Sequence, residues 1–302
     1  MKNAITAVVF VLIACCSLPA FSQSNDEIFD ASNPAFKTFL STVDTAKKTS
    51  PKRFAAVPGM AEDVVALDKK KRGPFVPLAQ SFKAAGPAMS LPLASYIFEQ
   101  YRKPTLKGSA RVSFMVGAFE SFAHHQTQAV VPLLFAVLQT ENDPYIVRAA
   151  SEAVGRVGTD AQVVDLIAFA DGSADVRLGM RGCRRTACAM YFDQFLMKKR
   201  ATIETSQAVK TLGSIGNSWA WKTDEVKSKD DGEAVRRFAA KVLVREFVEG
   251  DAQIRREARK AILVVDHPST PDLITTAKQT ADADTRKARD ALFKKFENNP
   301  VR

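Results

Sequence analysis

The stretch from Asp143 to Gly158, DPYIVRAASEAVGRVG, constrains this chain more than any other. An acid and a proline open it, which suits a first helical turn, where unpaired N–H groups favour negative charge and proline's missing N–H goes unnoticed. Ile146, Ala149, Ala150, Ala153, Val154 and Val157 follow at spacings of three and four, laying one apolar stripe along a helix. The small residues in that stripe let a second helix come close. Gly155 and Gly158 offer places to end the helix and turn. Ahead of it, Thr127 to Gln139 reads as another apolar helix, joined through the short polar run TEN. Such a pair cannot bury its apolar faces alone and needs copies stacked against it.

Weakened copies are present. With Arg148 as the mark, Ala150, Ala153 and Val154 stand two, five and six residues on. The same arrangement recurs from Arg256 (Ala258, Ala261, Ile262) and from Arg286 (Ala288, Ala291, Leu292). Looser versions start at Arg111, Arg177 and Ser206, and the marks at 148, 177 and 206 are 29 residues apart. The longer step from 206 to 256 holds an insertion near 217–231. Arg237 fits the local pattern but stands out of phase, inside the first helix of its repeat.

The D-P-x-x-V-R-x-A-A pattern of 143–158 resembles the HEAT repeat, in the short form of ~30 residues found in phycobilisome lyases. The resemblance covers roughly residues 105–296. It implies an all-α chain, an α-solenoid of HEAT-like helix pairs over 106–302, and a partner-binding surface of no specified kind. The lyase activity is not carried over, because only the fold analogy would support it. Residues 23–105 then form a helical N-terminal cap region, with room for divergent repeats, since a helical stack needs an end with a polar outer face. Within it, Asn33–Pro34 starts a helix to about Lys47 with Phe36, Phe39, Leu40 and Val43 on one side, and a second is expected from Met60 to Arg72. Pro77, Pro87 and Pro92 divide Phe75–Tyr101 into two or three short helices.

Residues 1–22 read as a secretory signal peptide: Lys2, an apolar run from Ala7 to Ala14, and Ala20-Phe21-Ser22 before the cut. A rival cut before Cys15, after Leu12-Ile13-Ala14, would leave a lipid-modified cysteine. Either way the expectation is export, to the periplasm or medium or as a membrane-anchored lipoprotein. The net charge of +10 falls to +9 once the leader takes Lys2 with it.

Three features are candidates for function. Ser173–Ala187 reads as one helix with Arg177, Arg181, Arg184 and Arg185 on one face, a ridge for anions. The plainer alternative has them solvated or paired to acids of the next repeat. Cys183 and Cys188 lie on the same segment; on an unbroken helix they point about 140° apart and cannot bridge, so a disulfide requires a break between them. Trp219 and Trp221 fall in the insertion, either to anchor a partner or to fold back on neighbouring helices. His124 and His125 point about 100° apart on a helix and His267 sits beside Pro268, a poor set for a metal.

No glycine-rich phosphate loop, G-x-S-x-G or H-E-x-x-H occurs in the sequence. The expectation is a non-enzymatic scaffold or adaptor protein that needs no cofactor or metal and binds protein partners. The alternative is a binder of anionic envelope polymers or lipid head groups. Nucleic acid is set aside because export removes the chain from it.

Overall fold

A computed structural model describes residues 25–198, 200–222, 230–277 and 283–299. The described residues are all-helical. In chain order the helices are α1 (Asn25–Ile28), α2 (Lys37–Thr49), α3 (Pro51–Asp68), α4 (Ala79–Ala84), α5 (Ser90–Arg102), α6 (Gly108–His124), α7 (Val131–Thr140), α8 (Pro144–Val157) and α9 (Asp160–Gly172). There follow α10 (Ala174–Gly179), α11 (Thr186–Met197), α12 (Thr202–Ile215), α13 (Ser218–Lys222), α14 (Gly232–Glu249), α15 (Ala252–Val265), α16 (Thr270–Thr276) and α17 (Ala283–Glu297).

Local chemistry explains the boundaries of α8. The Asp143 carboxylate caps the N–H groups of Tyr145 and Ile146, a contribution of about 1 kcal/mol, and Gly158 closes the helix by donating its N–H to the Val154 carbonyl. Gly155 does not end the helix. It lies inside α8 because a side chain there would strike Cys183, whose Cβ stands 2.9 Å from where a Cβ would be. Thr159 and Gln162 form a reciprocal capping box at the start of α9. Asp251 caps α15 in the manner of Asp143, so the two strongest copies of the repeat begin alike.

Packing follows two rows. In one, α4, α6, α8, α10, α12 and α15 each lie against the next in that order. In the other, α9, α11, α14 and α16 do the same, while α7 and α9 both pack on α8. Small residues set the spacing of the first row. A Cβ on Gly213 of α12 would sit 2.7 Å from the Ala261 Cβ of α15, and one on Gly117 of α6 would sit 2.8 Å from the Leu78 Cβ. The apolar residues between the rows, among them Phe119, Leu134, Ala150, Val154, Leu166, Phe192, Leu212 and Ile262, are fully buried.

Two sequence expectations are corrected. The second helix of the N-terminal region begins at Pro51, not Met60, and runs through Pro58 and Gly59 with Val57, Ala61 and Val64 buried. This helix buries one face against α5 and α6, and that packing outweighs the break that a proline followed by a glycine favours. The segment 173–187 is not one helix: α10 ends at Gly179, a 3-10 turn covers Met180–Gly182, and Cys183 is extended. With the helix broken there, Cys183 and Cys188 form a buried disulfide.

Residues 25–105 pack onto the first row. Phe29, Phe36, Phe39, Phe98 and Tyr101 form a buried aromatic cluster, with Phe29 stacked on Tyr101 at 4.2 Å. No helix among the described residues is long and apolar enough to cross a membrane. The leader, Cys15 and residues 223–229 of the insertion lie outside the described residues.

Candidate functional site

A cleft of about 460 Å³ crosses α6, α8, α10 and α12. Phe75, in the segment before α4, meets Tyr145 edge-on at 5.1 Å at this cleft. Glu120 of α6, Arg148 and Glu152 of α8, Leu178 of α10, Arg181 of the following 3-10 turn and Lys210 and Ser214 of α12 complete the lining.

The charged groups are tied in a ladder. Arg148 bonds Asp175 on the next helix of the row at 2.7 Å, and Arg181 bonds Glu152 at 2.9 Å. Lys210 reaches Glu257 of α15 at 3.7 Å. Gly182 permits the second pair, since a Cβ there would lie 2.5 Å from the Glu152 Cγ. Glu120 is held above the ordinary carboxyl range, first by burial and then by the negative charge of Glu152, against the pull of Lys83, Arg181 and Arg156. The Arg181 guanidinium is held more firmly protonated, chiefly by Glu152.

The four arginines expected on one ridge part company. Arg177 donates to the Ala170 carbonyl and to Glu204, and its guanidinium lies over the Phe195 ring at 4.9 Å. Arg184 donates to the carbonyls of Arg181 and Ser214, and burial pushes its pKa down to about 10. Arg185 is buried and binds the Gly158 carbonyl and Asp160. Only Arg181 reaches the cleft. The ridge is lost because α10 ends at Gly179 and only a 3-10 turn follows it; Arg177 pairs forward with Glu204 of α12, whereas Arg181 pairs back to Glu152 of α8.

The tryptophans also divide. Trp221 folds back: its Nε1 donates to the Ile215 carbonyl at 2.9 Å and its ring covers Gly232. Trp219 is 68% exposed. His125 approaches the Lys83 carbonyl at the end of α6, and the buried His267 stands 2.6 Å from Glu233.

Sequence reasoning missed Phe75, Glu120, Tyr145, Glu152 and Lys210. For two of these a signal was present: the fourth residue after each mark at 148, 177, 206 and 256 is Glu152, Arg181, Lys210 and Lys260, charged every time. Phe75 and Tyr145 carry no such mark. No known protein family, curated protein or solved structure matches this chain.

Proposed function

We propose that this chain is a HEAT-like α-solenoid acting as a scaffold or adaptor outside the cytoplasm, with its first row of helices as the surface that binds other proteins. The observation that carries this reading is the cleft continuous over α6, α8, α10 and α12. A groove assembled from four successive elements offers a long contact to a partner segment, which is how stacked repeats bind. The arginine contacts recurring at intervals near thirty residues support the repeat reading: Arg111 to Glu141, Arg148 to Asp175, Arg177 to Glu204 and Arg255 to Thr285. The second reading, an anionic polymer or lipid head group on the arginine ridge, loses support because all four arginines bind within the protein and only Arg181 also reaches the cleft.

A photo-crosslinking residue at Tyr145, in cells carrying the full chain, tests the proposal. The expected result is a discrete protein adduct from the envelope fraction, absent when the same residue replaces Val164 of α9, which is exposed outside the cleft. No adduct at Tyr145, or the same adducts at both positions, would refute it.

A further inference from the structure

The cations of the first row outnumber the acids that tether them, and the imbalance is greatest around Glu257. Lys210, Arg256 and Lys260 all approach this one carboxylate, at 3.7, 3.3 and 3.4 Å. The Glu257 side chain is 7% exposed, whereas the three cations are 59%, 59% and 62% exposed. One buried negative charge therefore sits beneath three positive heads that face solvent. The excess continues along the row: Arg181 is 63% exposed over a Glu152 that is 21% exposed. Arg181, Lys210 and Lys260 hold the same place after their repeat marks; Arg181 and Lys210 line one cleft, and Lys210 and Lys260 share Glu257. Like charges gathered in this way repel one another unless an anion lies between them.

Exposed apolar side chains alternate with these cations. Ile203, seven residues before Lys210 on α12, is 65% exposed, and Val264, four after Lys260 on α15, is 38% exposed. Tyr145, 41% exposed, continues the series into the cleft. A bare polyanion would leave these residues wet. A peptide carrying both carboxylates and apolar residues would cover both sets.

From this we propose that the face running from Arg181 through Lys210 to Arg256 and Lys260 docks an acidic, amphipathic segment of a protein partner. The inference rests on the protein-binding reading above and specifies the chemistry of the partner. Carboxylates of the segment sit among the cations, and its apolar side chains cover Ile203 and Val264.

The test uses the full chain and a labelled twenty-residue peptide alternating glutamate and leucine, followed by fluorescence anisotropy. An all-glutamate peptide, polyphosphate and phosphatidylglycerol vesicles serve as competing probes. The Glu/Leu peptide is expected to bind best, and the double variant Lys210→Glu, Lys260→Glu to weaken it at least ~10-fold, as loss of two charge contacts implies. The variant Lys210→Gln, Lys260→Gln should give a smaller loss in the same direction. Lys47→Glu with Lys48→Glu on α2, an equal change of net charge at exposed positions, should leave affinity within about 2-fold. No peptide binding, equal losses in the α2 and ridge variants, or tighter binding of polyphosphate or vesicles would overturn the inference. If Tyr145 still crosslinks a partner in that case, the scaffold reading stands and only the acidic segment falls.

Discussion

Glu141 shows at the scale of one residue how neighbouring helices are tied together. Its Oε2 accepts from the Tyr101 hydroxyl at 2.8 Å and from Arg111 at 2.5 Å, and its Oε1 accepts from the N–H groups of Asn142 and Asp143. Burial alone would raise its pKa, but the Arg111 and Asp143 hydrogen bonds outweigh burial and hold it below the ordinary range. Glu141→Gln should therefore destabilise the protein at pH 7 by about 2 kcal/mol, since it leaves Arg111 half-buried without its anion. A lowered carboxyl pKa stabilises fully above the unfolded value, about 4.3, and the contribution disappears as pH falls through the folded value. Urea midpoints of wild type and variant should thus differ at pH 7 and converge toward pH 3. The arginines behind such contacts were legible as a repeat mark. Their partners were not, because an acid 27 or 30 residues away is specified by how far each helix is rotated, not by spacing along the chain.

The turn between α10 and α11 decides what the arginine segment can do. Ser173 caps the helix, the valine–methionine–cysteine spacing continues past it, and so the sequence favours one long element. The structure ends α10 at Gly179 and tightens to a 3-10 turn through Gly182, both glycines lying so close to α8 that a side chain would strike Arg148 and Ser151 or Glu152. That conflict lies between helices and could not be read from one segment. The break also brings Cys183 and Cys188 together across a short loop with a sequence separation of 5. Replacing both by alanine should lower stability by about 2 kcal/mol, the chain-entropy value for so small a loop. Mass spectrometry after alkylation should find both cysteines unlabelled until the protein is unfolded and reduced, as both are fully buried. A second element-level test concerns spacing within the row. Gly213→Ala puts a methyl 2.7 Å from the Ala261 Cβ and should cost about 1–3 kcal/mol as α12 and α15 separate. Thermal melts against Gly59→Ala, at an exposed position inside α3 where an added methyl meets nothing within 4 Å, would separate overpacking from helix propensity, which alone favours alanine.

At the scale of the molecule, the repeating helices were legible because the pattern of small and apolar residues is local, whereas the relation of residues 25–105 to the rest was not. The sequence shows no clear repeat mark there, so that region reads as a helical cap with room for divergent repeats. Its helices pack on α6 and α7. Leu78 and Phe82 cover Gly117 and Phe114 of α6, Ser113 receives the Val76 N–H at 2.8 Å, and Tyr101 reaches across to Glu141. Phe75 contributes directly to the cleft. A fragment starting at residue 106 would expose the side of α6 that Leu78, Phe82 and Tyr96 cover, baring the fully buried Phe114 and the backbone at Gly117. Newly bared apolar surface of this kind favours self-association. Such a fragment is expected to aggregate or to lose α6 and α7, even though it keeps every recognisable repeat. A fragment ending at Asp266 lacks α16 and α17, whose main contacts among the described residues are with α14, α15 and each other, and should keep its remaining helices. Circular dichroism and size-exclusion chromatography on the two fragments give opposite results if stability passes from neighbour to neighbour along the rows. Equal collapse of both would mean that the helices fold as one indivisible core.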